Sequence, residues 1–284
     1  MPIRPAVASP LAACAAVATL LALSGCNLAE PAEGWDGASG EETPTASDSP
    51  LTPVKPQAGA GPKAHTSTVT VDGITLHISS RKAADVQADD SGPGTRTVTL
   101  SLAPGRSARL ELASPGELDV DSDGSISVLD GNGAPIAAVS PPALPSDAGK
   151  DAPRIEVTDT DATHALVEVD ARTEFGAEQV PAEPLRVTFV VGTQAIEGAS
   201  WGENEGGRSL AVDPTDWARH AGEAGLELIR TQLVAAEPDA DTRTMEHQLV
   251  CHAVGAPDKA TWNLEPWRPD VGLILTATAH CNPT

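Results

Sequence analysis

The stretch Asp119–Asp130, which reads DVDSDGSISVLD, decides how the middle of this 284-residue chain is interpreted. Its acidic residues and its glycine match the twelve-residue calcium loop found between two helices, with carboxylates at positions 1, 3, 5 and 12 and glycine at 6. The neighbouring residues oppose such helices, because Pro115-Gly116 precedes the stretch and a turn containing Gly and Pro, Asp130–Pro135, follows it. The surroundings therefore argue against a helix–loop–helix calcium site.

A β-hairpin accounts for the same residues. If Ser122–Gly124 form the loop, with Gly124 in the left-handed conformation, apolar residues of the two arms face each other. Val120 then lies opposite Ile126 on the buried side, while the acidic and serine residues of the arms face water. We predict this hairpin. Calcium binding stays open as an alternative, because acidic loops of other folds also bind the ion.

The two-residue alternation of apolar and polar side chains extends on both sides of the hairpin, from about residue 65 to residue 192. The alternating apolar residues are Val69, Val71, Ile74, Leu76, Ile78, Val98, Leu100, Leu102, Leu110, Leu112, Leu118, Val120, Ile126, Val128, Ile155, Val157, Val167, Val169, Val187, Phe189 and Val191. Short alternating runs between turns are typical of antiparallel sheets. For residues 65–195 we predict a β-rich domain, an antiparallel sandwich or meander of about eight strands.

The first 25 residues are typical of a secretory signal peptide, since Arg4 precedes an apolar run, Leu11–Leu23, that is too short to cross a bilayer comfortably. The run leads into Leu23-Ser-Gly-Cys26, which resembles the lipobox of bacterial lipoproteins. This resemblance implies cleavage before Cys26 and diacylation at its sulfur, with palmitate among the expected chains, and two acyl chains would hold the protein at a membrane. An ordinary signal peptide with an incidental cysteine is the alternative.

Residues 26–64 are rich in Ala, Pro, Gly, Ser, Thr and Glu, and Trp35 is their one aromatic side chain. Such a segment cannot bury enough apolar surface to fold, so we predict a disordered, lipid-anchored tether. The expected location is the extracellular face of the cell membrane. The whole chain has 40 acidic and 18 basic residues, a formal charge of −22, which argues against nucleic acid and anionic lipid headgroups as partners.

Four cysteines are present, of which Cys14 leaves with the signal peptide and Cys26 is the predicted lipid site. The remaining Cys251 and Cys281 of an exported protein are most simply a disulfide. A zinc site would need more ligands at conventional spacing than this pair offers. We therefore predict the disulfide, and we expect no metal or other cofactor.

Residues 196–284 differ from the preceding region and predict a small α+β domain. Asp213 has the character of a helix cap, with Pro214 at the first helical position and apolar residues at helical spacing beyond it. We expect a second short helix around Met245, Leu249 and His252, and a closing strand over residues 273–279.

Three segments of this region carry a resemblance to a known family. They are Cys251-His252, Thr261–Asp270 with the sequence TWNLEPWRPD, and Cys281–Pro283; Ser209–Arg219 fits the upstream part of the pattern. The segments resemble an actinobacterial family of secreted proteins and lipoproteins that carries a C-terminal domain of unknown function, the domain-of-unknown-function 2599 family. The resemblance covers about 85 residues and implies an architecture and an origin, but no mechanism.

Two groups of residues suggest chemistry. Gly198–Gly202 matches the Gly-x-Ser-x-Gly nucleophile elbow around Ser200, but Glu203–Gly207 cannot begin the helix that the elbow requires, so we expect a turn and no catalytic residue there. The second group comprises the candidate ligand-binding residues Trp262, Glu265, Trp267 and Arg268. Here the tryptophans would stack on a ligand, and Glu265, Asp270, His252 and His280 would supply acid–base catalysis. The simpler interpretation, which we favour, has both tryptophans in a core and Glu265 paired with Arg268.

Three functions follow from these patterns: a binding or interaction module in the cell envelope, which we prefer; a cell-wall-active hydrolase that uses the C-terminal carboxylates and histidines; and a secreted effector or inhibitor domain. An open cleft with Glu265 and His252 at its floor would favour the hydrolase, whereas burial of both tryptophans would favour the module. The partners that we expect are the membrane, through the anchor, and a component of the cell wall or envelope.

Overall fold

The structure is a computed structural model that describes residues 65–80, 87–148, 152–173 and 184–284. The predicted signal peptide, Cys26 and the tether of residues 26–64 lie outside these described residues. No helix within the described ranges is long and apolar enough to cross a membrane.

The first described region is an antiparallel sandwich of eleven strands. They are β1 (His65–Val71), β2 (Ile74–Ser80), β3 (Gln87–Gly92), β4 (Thr95–Leu102), β5 (Arg106–Leu112), β6 (Glu117–Val120), β7 (Ile126–Leu129), β8 (Pro135–Val139), β9 (Pro153–Asp161), β10 (His164–Thr173) and β11 (Leu185–Gly192). One sheet has the order β1-β2-β5-β10-β9 and the other the order β3-β4-β11-β8-β7-β6. The predicted antiparallel β fold is confirmed.

A single apolar core lies between the two sheets. Leu76 and Leu110 reach it from the first sheet, and Leu100 and Val128 reach it from the second. All of the residues that the alternation singled out are buried in this core or packed against it. Two strands, β3 and β8, were not predicted. The strand β8 reads PIAAV, and its consecutive small apolar residues lack the alternating pattern.

The hairpin that was predicted from Asp119–Asp130 is present. Val120 pairs with Ile126, and Gly124 has a φ of 82°, as the left-handed loop position requires. One detail of the prediction is wrong: Ser125 and Ser127 are fully buried and do not face water. A helix of the C-terminal region covers them, as described below.

The C-terminal region begins with a hairpin of β12 (Ile196–Asn204) and β13 (Gly207–Pro214), and β14 (Trp262–Leu264) pairs with β13 as a third strand. The expected turn at Gly198–Gly202 is therefore wrong, because these residues lie within β12. The turn comes later, at Glu205-Gly206, where both residues have positive φ angles. Ser200 is an exposed residue in the middle of a strand, which is not the geometry of a nucleophile elbow.

Three α-helices complete this region: α1 (Gly222–Ala236), α2 (Arg243–Gly255) and α3 (Leu273–Thr278). Short 3-10 helices, Ala218–His220 and Pro238–Ala240, precede α1 and α2. The second helix was predicted around Met245 and is confirmed. Two other expectations are wrong, since the first helix does not begin after Asp213 and residues 273–279 do not form a strand.

The physical reasons for both corrections lie in hydrogen bonds. The carboxylate of Asp213 accepts a hydrogen bond from Arg219 (2.9 Å) and so does not cap a helix, while Pro214 ends β13. In α3 the amide of Thr276 donates to the carbonyl of Gly272 (3.0 Å), and the amide of Cys281 donates to the carbonyl of Thr276 (3.0 Å). These bonds satisfy the backbone locally, although the β-branched and apolar sequence favours a strand.

The C-terminal region packs against the sandwich, and the two form one compact unit. Ala138 of β8 lies in the same apolar cluster as Leu228 and Ile229 of α1. Between these regions Gln232 of α1 donates to the carbonyl of Thr193 (2.6 Å) and accepts from the amide of Ala195 (2.9 Å). Helix α1 therefore connects the two regions through packing and hydrogen bonds.

Candidate functional site

The residues predicted from the TWNLEPWRPD segment form a buried network. Glu265 and Arg268, each with 1% of its side chain exposed, form an ion pair. Arg268 also binds Glu205 (2.5 Å) and the carbonyl of Pro283 (3.2 Å), and Asn204 donates to Glu265 (3.0 Å). The carboxylate and the guanidinium thus have protein partners already, and a ligand could reach them only by breaking these bonds.

The two tryptophans of the same segment have different environments. Trp262 is fully buried in the core of the C-terminal region. Trp267 is 45% exposed, and its ring lies against the backbone of Gly207, where an added Cβ would come within 2.2 Å of the indole nitrogen. The guanidinium of Arg268 lies over this ring, 4.5 Å from the ring centre. The ring of Trp267 therefore packs against the end of the turn between β12 and β13.

The candidate acid–base residues do not converge. Glu265 is buried in its network with Arg268, and Asp270 pairs with His247 (3.0 Å) at the surface. His252 is buried beside Trp262, with its ring stacked at 6.5 Å, and His280 is exposed beyond α3. Within the described ranges, moreover, no three His, Cys, Asp or Glu residues are grouped so that they could hold a metal ion.

The protonation state of His252 follows from its contacts. Burial, followed by the charge of Lys259, lowers the pKa of this imidazole below its usual value, so the ring is neutral at physiological pH. Its Nε2 lies 3.2 Å from the carbonyl of Asn263, which can only accept, so Nε2 carries the proton. The bare Nδ1 is buried and has no hydrogen-bond partner among the described residues. A neutral, enclosed imidazole of this kind is poorly placed to transfer protons to a substrate.

The disulfide between Cys251 and Cys281 joins α2 to the residues that follow α3, and it confirms the predicted pairing. It holds the short helix α3 beside the C-terminal half of α2. Because α3 has six residues, it could not be stable alone. The disulfide thus positions α3 as one wall of a surface groove.

That feature is an open groove of about 620 Å³ between α2 and α3. Val254 of α2 and Ile274 of α3 are lining residues with 80% and 81% of their surface exposed. Leu273 and Ala277 extend the same wall, and the cysteine pair lies among the lining residues. Contiguous exposed apolar side chains on a folded protein commonly mark a binding surface, and the volume lies within the usual range for small-molecule sites.

The charge of the groove is unlike that of the chain. Its fourteen lining residues include no Asp or Glu, although the chain has 40 of them. They include His252, His280 and Lys259, and Lys259 is the single lysine that the described ranges contain. Its ammonium group makes no ion pair with another described residue. The lining of the groove is therefore mainly apolar, and Lys259 is its one lysine.

Arg219 fixes the loop that carries Lys259. Its guanidinium donates to the backbone carbonyls of Pro257 (2.9 Å), Lys259 (2.6 Å) and Ala260 (2.9 Å). The same side chain bonds to the carbonyl of Pro214 (2.8 Å) and to Asp213. All five N–H donors of the guanidinium are thus used, and the loop is held rigidly.

Apart from His252, His280 and the two cysteines, the groove residues were not identified from the sequence, and none of the four predicted ligand-binding residues lines the groove. A signal was present in Leu273-Ile-Leu275, three consecutive apolar residues that do not alternate. Such a run fits a fully buried strand or an apolar helix surface, and the sequence interpretation favoured a strand. The separation of the run from Val254 by 19 positions hid the fact that the two meet.

The comparisons with known proteins concern this C-terminal region. Residues 196–284 match the model of a family described as a protein of unknown function (DUF2599), which confirms the predicted C-terminal domain. The chain is similar to two uncharacterized proteins, Rv0477 of Mycobacterium tuberculosis and Mb0487 of Mycobacterium bovis. Each is 37% identical over 95 residues, which cover 31% of this chain and 62% of the relative. The mycobacterial source agrees with the actinobacterial resemblance.

A shorter match joins the chain to the uncharacterized protein ML2452 of Mycobacterium leprae, with 40% identity over 55 residues, 18% of this chain and 45% of the relative. The chain thus spans less than two thirds of the length of the curated relatives it matches. No solved structure matches the chain.

Proposed function

We propose that this chain is an exported, lipid-anchored protein of the cell envelope whose C-terminal region binds a ligand in the groove between α2 and α3. The observation that carries the proposal is the exposure of Val254 and Ile274 on helices that a disulfide holds in place. Leaving such side chains in water costs free energy, at about 25 cal/mol for each Å² of apolar surface, which a bound partner would recover.

Binding has more support than hydrolysis. The hydrolase alternative needs a carboxyl group and a second acid or base within reach of one substrate. Glu265 is paired with Arg268 in the interior, and His252 is neutral and enclosed. The groove itself offers no carboxyl group. These positions give the hydrolase no supporting geometry.

A photo-crosslinking amino acid in place of Ile274 tests the binding role in the native envelope. We expect a discrete adduct, detected as a mass increase of the purified protein, because Ile274 lines the groove. The same amino acid in place of Leu275 is a matched control, since Leu275 is also exposed but does not line the groove. Absence of an adduct at Ile274, or equal adducts at both positions, would refute the groove as a binding site.

The anchor is tested separately at Cys26, where the Leu23-Ser-Gly-Cys26 run motivates it. In detergent phase separation the wild-type protein is expected in the detergent phase and the Cys26→Ser variant in the aqueous phase. The lipid-anchor proposal fails if both proteins partition into the aqueous phase.

A further inference from the structure

We infer that the ligand of the groove is a long-chain fatty acid, whose acyl chain lies along Val254 and Ile274 and whose carboxylate binds Lys259. The inference rests on the proposed binding role and adds the chemistry of the ligand. Three features carry it: the apolar walls, the absence of carboxylates from the lining, and the presence there of Lys259, which makes no ion pair with another described residue.

The walls fit a flexible hydrocarbon chain. Ile274 and Ala277 lie on one wall and Val254 on the other, and they offer methyl and methylene surface with no aromatic ring. A volume of about 620 Å³ suits a ligand of drug-like or lipid-like size, whereas a folded partner would need a larger and flatter surface. The groove is open, so a chain could enter it without unfolding α3.

Lys259 of the groove lining fits an anionic head group. Lys259 is exposed, has no ion-pair partner among the described residues, and has its backbone held by Arg219 (2.6 Å). The nearest carboxylate in sequence, Asp258, bonds to His220 (3.1 Å). An unpaired ammonium group gains most from an anion that arrives with its own apolar anchor.

The overall negative charge of the chain does not prevent this binding. Charges farther away than about 8 Å are largely screened at physiological ionic strength, so the groove responds mainly to its own lining. That lining carries one lysine and no acid. An anionic amphiphile is therefore favoured over a cationic one, which would find no counter-charge there.

The test is a fluorescence titration with a long-chain polyene fatty acid, whose emission rises when the chain leaves water. The full chain carrying Cys26→Ser is used, so that no protein-borne acyl group competes. We expect saturable binding of the acid, and binding weaker by about threefold for the matching polyene methyl ester, which lacks the charge. Lys259→Ala should weaken binding of the acid by a similar factor and leave the ester unchanged.

The matched pair Ile274→Glu and Leu275→Glu locates the site. The first should weaken binding of the acid by at least about tenfold, because it replaces an apolar contact in the groove, and the second should leave it within about twofold. Equal losses in both variants would indicate a general apolar surface, such as a membrane contact, and would overturn the inference. Equal affinity for acid and ester, with no effect of Lys259→Ala, would overturn the anionic head group.

A further outcome separates this inference from the proposed function. If neither probe binds saturably while the crosslinker at Ile274 still forms an adduct in the envelope, the fatty-acid inference is wrong and the binding role stands. If both experiments fail, both proposals fail.

Discussion

At the scale of single residues, two buried arginines stabilise the C-terminal region in different ways. Arg219 uses its five donors mainly on backbone carbonyls and so fixes a loop. Arg268 joins Glu265 to Glu205 and to the last residues of the chain. Both arginines belong to segments that carry the family resemblance. Their contacts show that these two segments stabilise the fold and do not line the groove.

Loss of the Arg268 side chain should therefore lower the free energy of unfolding substantially. Arg268→Ala leaves Glu265 buried without its cation, and breaking a buried ion pair in this way costs about 3–5 kcal/mol in the free energy of unfolding. Arg230→Ala is the control, because Arg230 makes only exposed pairs with Asp241 and Glu246, worth at most about 1 kcal/mol. Urea denaturation of both variants measures the difference, and similar losses would contradict the buried network.

Asp121 gives a prediction on pH. Burial, followed by the nearby charge of Glu227, raises the pKa of this carboxyl to about 6 from an ordinary value of 3.8, against the opposing hydrogen bonds of Ser125 and Ser127. The folded chain thus binds the proton more tightly than the unfolded chain. The stabilising contribution of Asp121 is complete below about pH 3.8 and is lost as the pH rises through about 6.

The Asp121→Asn variant removes this titration while keeping a hydrogen-bond acceptor for Ser125. We expect it to be more stable than the wild type at pH 7, by on the order of 1 kcal/mol after allowance for solvent screening. The advantage should shrink as the pH falls toward 4. Chemical denaturation of the two proteins at a series of pH values provides the check, and a stability difference that does not change with pH would disprove the raised pKa.

At the scale of secondary-structure elements, the β6–β7 hairpin caps helix α1. The helix has no side-chain cap of its own at Ala221. Instead, the amide of Glu223 donates to the carboxylate of Asp123 (2.9 Å), and the amide of Ala224 donates to the hydroxyl of Ser125 (3.0 Å). Gly222 permits this approach, because a Cβ there would lie 2.1 Å from the Asp123 carboxylate. The residues that imitate a calcium loop thus bind a helix N-terminus.

This cap can be tested by substitution. Asp123→Ala should lower the free energy of unfolding by about 1 kcal/mol, the usual value of a helix cap. Asp119→Ala, on an exposed position of the same hairpin, should change it by less than about 0.5 kcal/mol. Thermal unfolding of both variants distinguishes them, and a neutral Asp123→Ala would remove the hairpin from its proposed capping role.

The elements that the sequence predicted correctly are those with a strong periodic signal. Leu76, Leu110 and Val167 repeat at every second position and lie in the sandwich core. The strand β12 was missed because Gly198 and Gly202 are typical of turns, and α3 was missed because its hydrogen bonds and the disulfide override its β-favouring sequence. The groove depends on contacts between α2 and α3, which no local pattern contains.

At the scale of the whole molecule, the disulfide stabilises the C-terminal region and shapes the groove. Cys251 and Cys281 are 30 positions apart, a loop for which the chain-entropy relation gives about 3–4 kcal/mol. Reduction and alkylation should lower the melting temperature clearly and abolish ligand binding, because α3 loses its attachment to α2. Free thiols in the native exported protein, detected by titration with a thiol reagent, would contradict this prediction.

The central claim is that ligand binds in the α2–α3 groove and not along the Trp262–Asp270 segment, and native mass spectrometry tests it most directly. The chain is recovered from the envelope without substitution, with Ile274→Glu, or with Trp267→Ala, since Trp267 is the exposed aromatic residue of that segment. We predict a bound small-molecule mass on the first and third proteins and its absence from Ile274→Glu. Loss of that mass from Trp267→Ala and its persistence on Ile274→Glu would contradict the claim.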